Sequence, residues 1–324
     1  MRKIALAPVA VGLAVGGLAT STVVKFYRDR TEADRQWREA VVARVDEPDT
    51  VSDLSVLPLI DWYTADDTLA GEAGVSYLVR AGDTTVLFDV GLNRKAESPS
   101  PLVRNMEVLG VNRGDIDSVF ISHRHVDHTG GMKSQKARTF MLTPDDPEPL
   151  AVPAYVPDEM THATAQVLVV TDPVRIAQGV WSIGTIARSL WLLGLTQEQA
   201  LAVNVEGKGI VLIIGCGHQT LERAIARTEA LFDVPLYGVI GGLHFPVTES
   251  RIDHGVQKVI GTGKPPWQRV GPDDVRATIE HLAGKDPKLV AISAHDSCDW
   301  AVGQFSEEFG DRFRDVMVGR QIVV

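Results

Sequence analysis

The strongest constraint on this chain is the run His123-Arg124-His125-Val126-Asp127-His128, followed by Thr129-Gly130-Gly131 and preceded by the apolar stretch Ser118-Val119-Phe120-Ile121. Four side chains of the kind that bind metal ions crowd into six positions at the end of an expected strand. Alternate residues of an extended segment share a face, so His123 and His125 point the same way. Asp127 and His128 then fall in the turn, within reach of a second ion. Imidazole and carboxylate suit zinc, and also iron or manganese. Packing alone rarely assembles four such ligands in six residues, so the segment predicts a metal site rather than a histidine-rich loop.

From about Val51 onward, short apolar runs alternate with Gly, Asp, Asn and Pro. They read as strands at Leu54–Ile60, Val75–Arg80, Thr85–Asp89, Ser118–Ser122, Gln166–Thr171, Gly209–Gly215, Leu236–Gly241 and Leu289–Ser293. Helical patterns at Pro101–Leu109, Leu221–Leu231 and Pro272–Leu282 lie between them, which predicts an α/β fold. With 324 residues, 44% of them hydrophobic, the chain has material for one large α/β domain or two small ones. A proline-rich stretch from Thr143 to Pro157 reads as a long loop of the kind that often serves as a lid.

Further ligand-type residues stand at the ends of expected strands. His218 follows the apolar run Ile210–Ile214 at its carboxyl end, where open α/β sheets collect their sites. His295 ends Leu289–Ser293 in the same manner, and His244 ends Leu236–Gly241 either as a substrate contact or as a loop cap. The two cysteines, Cys216 and Cys298, lie beside histidines; they are too few for a disulfide framework and read either as small buried hydrophobes or as parts of the metal site. His162, His254 and His281 sit in polar or helical contexts and read as surface residues.

His-Arg-His-Val-Asp-His with its trailing Thr-Gly-Gly resembles the HxHxDH signature of the metallo-β-lactamase superfamily. The resemblance implies an αββα sandwich in which His123 and His125 bind one metal while Asp127 and His128 bind the other. It extends to Gly74–Leu78 and Leu87–Gly91, with Asp89 in the place of an aspartate that buttresses the metal loop. Asn105–Gly110, Ile214–His218, Val239–His244 and Ser293–His295 resemble one subgroup, that of the archaeal dihydropterin ribofuranosylaminobenzene phosphate synthase. The resemblance of His295 to the superfamily's last histidine supports it as a further ligand, alongside His218 at its strand end. Three departures matter. Gly215-Cys216-Gly217 stands where many members have a TGD segment with a bridging aspartate, so either Cys216 approaches a metal as a thiolate or the bridge is water alone. The subgroup's EHGLS becomes Glu72-Ala73-Gly74-Val75-Ser76, and its HCTG becomes His295-Asp296-Ser297-Cys298, which makes Asp296 an added ligand or acid.

The N-terminus carries a different signal. Ile4 to Val24 holds no charge and is bracketed by Arg2-Lys3 and by Lys25, Arg28 and Arg30; about 20 apolar residues suffice to span a bilayer. We therefore expect a signal anchor or transmembrane helix over residues 1–25 and a solvated stalk helix over 26–50, stopping at Pro48. The catalytic domain follows over 51–324, tethered by a single pass and placed on the extracytoplasmic side. Beyond the first thirty residues the chain holds 27 basic against 41 acidic residues, a balance that repels phosphate backbones and argues against a nucleic-acid partner.

Together these readings predict a metal-dependent hydrolase acting on a small-molecule ester, lactone, amide or phosphoester. It would use two divalent ions, zinc first and iron or manganese as alternatives, held by His123, His125, Asp127, His128, His218, His295 and Cys216. Asp127 would also orient the nucleophilic water, and His244 would donate to the developing oxyanion. The rival readings are a di-metal transferase or redox enzyme of the same fold, and a membrane-anchored metal- or ligand-binding module without turnover.

Overall fold

Alternation along the strands explains the layering. In β12 (Gly209–Ile214), Val211 and Ile213 pack inward against an opposing sheet, while Ile210, Leu212 and Ile214 pack outward under helices; every residue of the strand is buried. A strand covered on both faces reads as a continuous apolar run, which is why its period of two is invisible in the sequence. The same division holds in β2 (Ser76–Ala81), where Tyr77 and Val79 face the inner core and Leu78 faces outward.

The computed structural model describes residues 7–248 and 257–324, with side chains from residue 20 onward. Among the described residues the first sheet runs in the order β15 (Ile322–Val323), β1 (Leu54–Ile60), β2, β3 (Thr84–Phe88), β4 (Ser118–Phe120), β5 (Pro153–Val156), β6 (Gln166–Val169). The second runs β14 (Leu289–Ile292), β13 (Leu236–Gly241), β12, β11 (Leu201–Val205), β8 (Val180–Ser182), β7 (Val174–Ala177). A separate antiparallel hairpin joins β9 (Ile186–Leu190) to β10 (Gly194–Glu198). Helix α2 (Pro101–Val108) covers the first sheet with Leu102 and Met106. Helices α4 (Leu221–Leu231), α5 (Pro272–Ala283) and α6 (Asp299–Phe309) cover the second, and α3 (Met132–Ala137) follows the histidine loop. The architecture is a mixed α/β sandwich in αββα order.

Three expectations need correction. The stretch from Thr143 to Pro157 is not all loop, because Pro153–Val156 forms β5, paired in parallel with both β4 and β6. Its proline occupies the first strand position, where the lost N–H is tolerated. The expected membrane span and single-pass anchor are overturned: among the described residues no helix is long and apolar enough to cross a membrane. Residues 1–6 of that expectation lie outside the described residues.

The third concerns the stalk. Helix α1 (Ala7–Glu39) runs without a break into a segment with nine charged residues among its last fifteen, and this polar half is docked rather than solvated. Phe26 and Ala33 are buried, the Phe26 ring meets Trp191 edge-on at 5.3 Å, and the Ser189 hydroxyl donates to the Phe26 carbonyl. Arg223 pairs with Asp34 at 2.6 Å, and the guanidinium groups of Arg223 and Arg227 lie over the Trp37 ring. The apolar face was hard to see because it consists of single residues such as Phe26 and Ala33 set among charges.

Candidate metal centre

The site is assembled at the carboxyl ends of strands. Asp61 follows β1, Asp89 follows β3, the segment His123–His128 follows β4, and Glu198 is the last residue of β10. Cys216 and His218 follow β12, His244 follows β13, and His295 with Asp296 follows β14. Because β12, β13 and β14 are parallel neighbours, their ends fall side by side, the usual position of sites in such sheets. Close approach needs glycine at two points: a Cβ on Gly215 would lie 2.2 Å from the Ser122 hydroxyl, and one on Gly242 would lie 2.5 Å from the His295 ring.

Cys216 stands at the middle. One ligand atom each from Asp127, His128, Cys216 and His295 fits within 4.8 Å of the others, and so do atoms of His123, Cys216 and His218, and of Cys216, His244 and Asp296. Its Sγ is 3.1 Å from His128 Nε2 and 3.3 Å from His295 Nε2. The His125 ring lies 4.4 Å from that of His123 and 4.9 Å from that of His218, so it joins the same pocket, though outside these tighter groups. His244 adopts a left-handed φ of +51°, a strained conformation for a residue with a side chain, and its N–H donates to Asp296 Oδ2 at 3.0 Å. His162 instead stacks on Phe140, His281 lies on α5, and His254 lies outside the described residues.

Behind the ligand atoms are two buried relays. Asp89 accepts from the Ser122 N–H and hydroxyl and lies 2.7 Å from His128 Nδ1, which fixes that ring with Nε2 toward Cys216. Asp61 accepts from the Tyr77 hydroxyl at 2.8 Å and the Ser293 hydroxyl at 2.6 Å, and Ser293 Oγ is 2.7 Å from His295 Nδ1. A third carboxylate shapes the Cys216 loop: Glu198 accepts from the backbone N–H groups of Cys216, Gly217 and Gln219. Asp61 and Glu198 are the positioning residues that motif reading missed. Asp61 left a faint signal, an acid ending a strongly apolar run, whereas Glu198 sits in the plain segment Leu195-Thr196-Gln197-Glu198 and left none.

Protonation favours cation binding. Burial and the neighbouring imidazoles push His123 and His218 well below the usual histidine range, and burial, partly offset by Asp127, takes His125 to about 4. These rings are neutral, with lone pairs to offer. Burial acts to raise the Asp127 carboxyl, but His128, with His295 and His125, outweighs it and holds the group ionised; Asp127 and Asp89 in turn raise His128, whose proton a bound cation would displace. Burial, then Asp127 and Asp296, push the Cys216 thiol well up, an effect that a bound cation inverts. His123 Nε2 and both ring nitrogens of His218 and His244 are buried without a hydrogen-bond partner. Each unpaired buried polar atom costs about 1–3 kcal/mol, so orphans clustered around one carboxylate and one thiol fit divalent metal ions.

This sandwich, with candidate ligand loops gathered at the strand ends, has the architecture of the metallo-β-lactamase fold, and the chain is similar to that superfamily around its histidine loop. The family's sequence model matches residues 69–141, which include the histidine loop. The 7,8-dihydropterin-6-methyl-4-(beta-D-ribofuranosyl)-aminobenzene-5'-phosphate synthase of Methanocaldococcus jannaschii is 22% identical over 249 residues, covering 62% of this chain and 81% of that protein. A shorter segment of 61 residues is 39% identical to the transcription termination factor FttA of Cenarchaeum symbiosum, covering 18% of this chain and 10% of that one. Among solved structures, a metal-dependent hydrolase of the β-lactamase superfamily superposes with a TM-score of 0.56 at 19% identity, over 84% of this chain and 99% of the other. The metallo-β-lactamase fold protein YhfI of Bacillus subtilis gives 0.52 at 13% identity, over 84% and 100% of the two chains.

Proposed function

We propose that the protein is a metal-dependent hydrolase. His123, His125 and His218 would hold one divalent ion, Asp127, His128 and His295 a second, with Cys216 between them. The observation that carries this reading is the position of Cys216 Sγ, which belongs both to the Asp127–His128–His295 group and to the His123–His218 group. Zinc suits the imidazole and thiolate donors best, with iron or manganese as alternatives. Bound ions would supply Lewis acidity and bring the pKa of a water molecule towards neutrality.

The chain's own residues do the rest. Asp127, ionised, accepts a hydrogen bond from the attacking water and orients it. His244, whose ring nitrogens have no other hydrogen-bond partner, donates to the oxygen on which charge develops. Asp296 accepts from the backbone N–H of His244 and holds that residue in place. An ester, lactone, amide or phosphoester all present the required polarised carbonyl or phosphoryl group. Group transfer to an acceptor other than water is the second reading, favoured by the synthase name of the relative from Methanocaldococcus jannaschii.

The test is a screen of the purified full chain against aryl esters, lactones and phosphodiesters, with metal content measured alongside. His125→Ala is expected to lower the rate by at least a thousandfold while the circular dichroism spectrum stays that of the folded chain. An unchanged rate would remove the catalytic reading.

A further inference from the structure

Beside the metal centre opens a cavity of about 200 Å³ whose wall includes His218, His244, Thr262, Lys264 and Arg188. Arg188 lies on β9 at intermediate burial, and among the described residues its guanidinium makes no hydrogen bond or ion pair. The carboxylates around it are engaged elsewhere. Asp34 takes Arg223, Glu222 accepts from the Thr278 hydroxyl, and Asp274 takes Lys264 at 2.6 Å together with the Gly271 N–H. Burial, then Arg223 and Arg30, shift the Arg188 pKa downward, with Asp34 and Glu222 opposing. Large proteins do bury arginines, but they pair them, because a desolvated charge without a partner is unfavourable.

The backbone opposite is shaped to this side chain. A Cβ on Gly263 would lie 2.7 Å from Arg188 Nε and 2.9 Å from Nη2, so that edge of the guanidinium is set against bare backbone and the Nη1–Nη2 edge is left to face the cavity. Two residues earlier, a Cβ on Gly261 would lie 3.6 Å from His244 Nε2. Two residues of chain span at most about 7 Å, so arginine and imidazole are a small-molecule length apart along one cavity wall. The N-terminus of α4, at Thr220 and Leu221, borders the same space and adds its partial positive charge.

We propose that Arg188 seats the anionic end of the substrate, a carboxylate or a phosphate, while the bond to be cleaved lies beside His244 and the metal centre. This assignment names a substrate class for the hydrolytic site and rests on that reading. Arginine's planar fork matches either anion with two parallel hydrogen bonds.

Calorimetric titration of the purified full chain with inorganic phosphate and, separately, with succinate tests it. At least one of the two is expected to bind the wild type ten or more times tighter than Arg188→Gln, with Arg188→Lys between them; the tighter of the two identifies which anion the seat takes. Gly263→Ala changes no charge yet intrudes on the guanidinium, and it is expected to weaken the same anion several-fold, with folding of each variant checked by circular dichroism. Equal affinity in wild type and Arg188→Gln for both anions, or no binding to the wild type, overturns the proposal. Anion titration needs no turnover, so a chain that hydrolyses nothing still gives a readable result. A hydrolase whose anion affinity ignores Arg188 loses this assignment alone.

Discussion

The two relays behind the candidate metal centre use the same three side-chain types and differ in what they join. Asp89, Ser122 and His128 all belong to the first sheet and its loops, with the carboxylate 33 residues from the serine. Asp61 belongs to the first sheet, but Ser293 and His295 belong to the end of the second, and 232 residues separate carboxylate from serine. The first relay therefore orients a ligand within one layer, whereas the other also fastens one layer to its neighbour. A fastened joint should show itself in global stability, and a local buttress chiefly in metal affinity.

The largest expected effect follows from Asp61→Ala, which leaves the Tyr77 and Ser293 hydroxyls and the Trp62 and Ala294 N–H groups without their acceptor. We expect a loss of about 4 kcal/mol in urea unfolding, within the range for breaking a buried polar network. A loss below about 1 kcal/mol would end the joint's claim to tie the sheets. Next comes metal itself: zinc at a hundred to a thousand times its Kd should stabilise the chain by about 2.7–4.1 kcal/mol over chelator-treated protein. In Cys216→Ala that increment should shrink, as read by thermal melts with and without zinc, because the thiol lies between both ligand groups.

Asp89→Ala should lower stability by about 2 kcal/mol but reduce zinc affinity ten- to a hundredfold, the range for losing a carboxylate behind a metal-binding histidine. Equilibrium dialysis against a zinc indicator distinguishes it from Asp61→Ala, and equal stability losses would erase the contrast between the relays. The mildest change should be Asp61→Asn, at about 1–2 kcal/mol. An amide keeps Oδ1 for the two N–H donors and gives up only the Oδ2 acceptor of the Tyr77 and Ser293 hydroxyls, which can turn to accept from its NH2.

What could be read from the sequence follows the same division. The histidine loop was legible because its ligands are neighbours and their spacing is itself the signal. The strands Leu54–Ile60, Gly209–Ile214 and Leu236–Gly241 stood out as apolar runs bounded by turns. Between Val174 and Val205 five strands form from segments such as Val180-Trp181-Ser182 and Gly194-Leu195-Thr196-Gln197-Glu198, too short and too mixed to carry a period. Their order is decided by pairing across the sheet, as when Leu201 meets Ile213 on one side and Ser182 on the other. Glu198 was invisible for the same reason, since its role exists only once the Cys216 loop folds over it. The residues that dock α1, such as Phe26 and Ala33, were hidden because they stand singly among charges beyond the apolar run.

That docking gives β9 two tenants. Successive residues of a strand face opposite ways, and here Ser189 holds the Phe26 carbonyl of α1 while Arg188 lines the cavity beside His244. The strand joins the helix to the cavity, and charges of α1, Arg30 and Asp34, act on Arg188 as well. A tilt of α1 would therefore move charges that act directly on a residue lining the cavity beside the candidate metal centre.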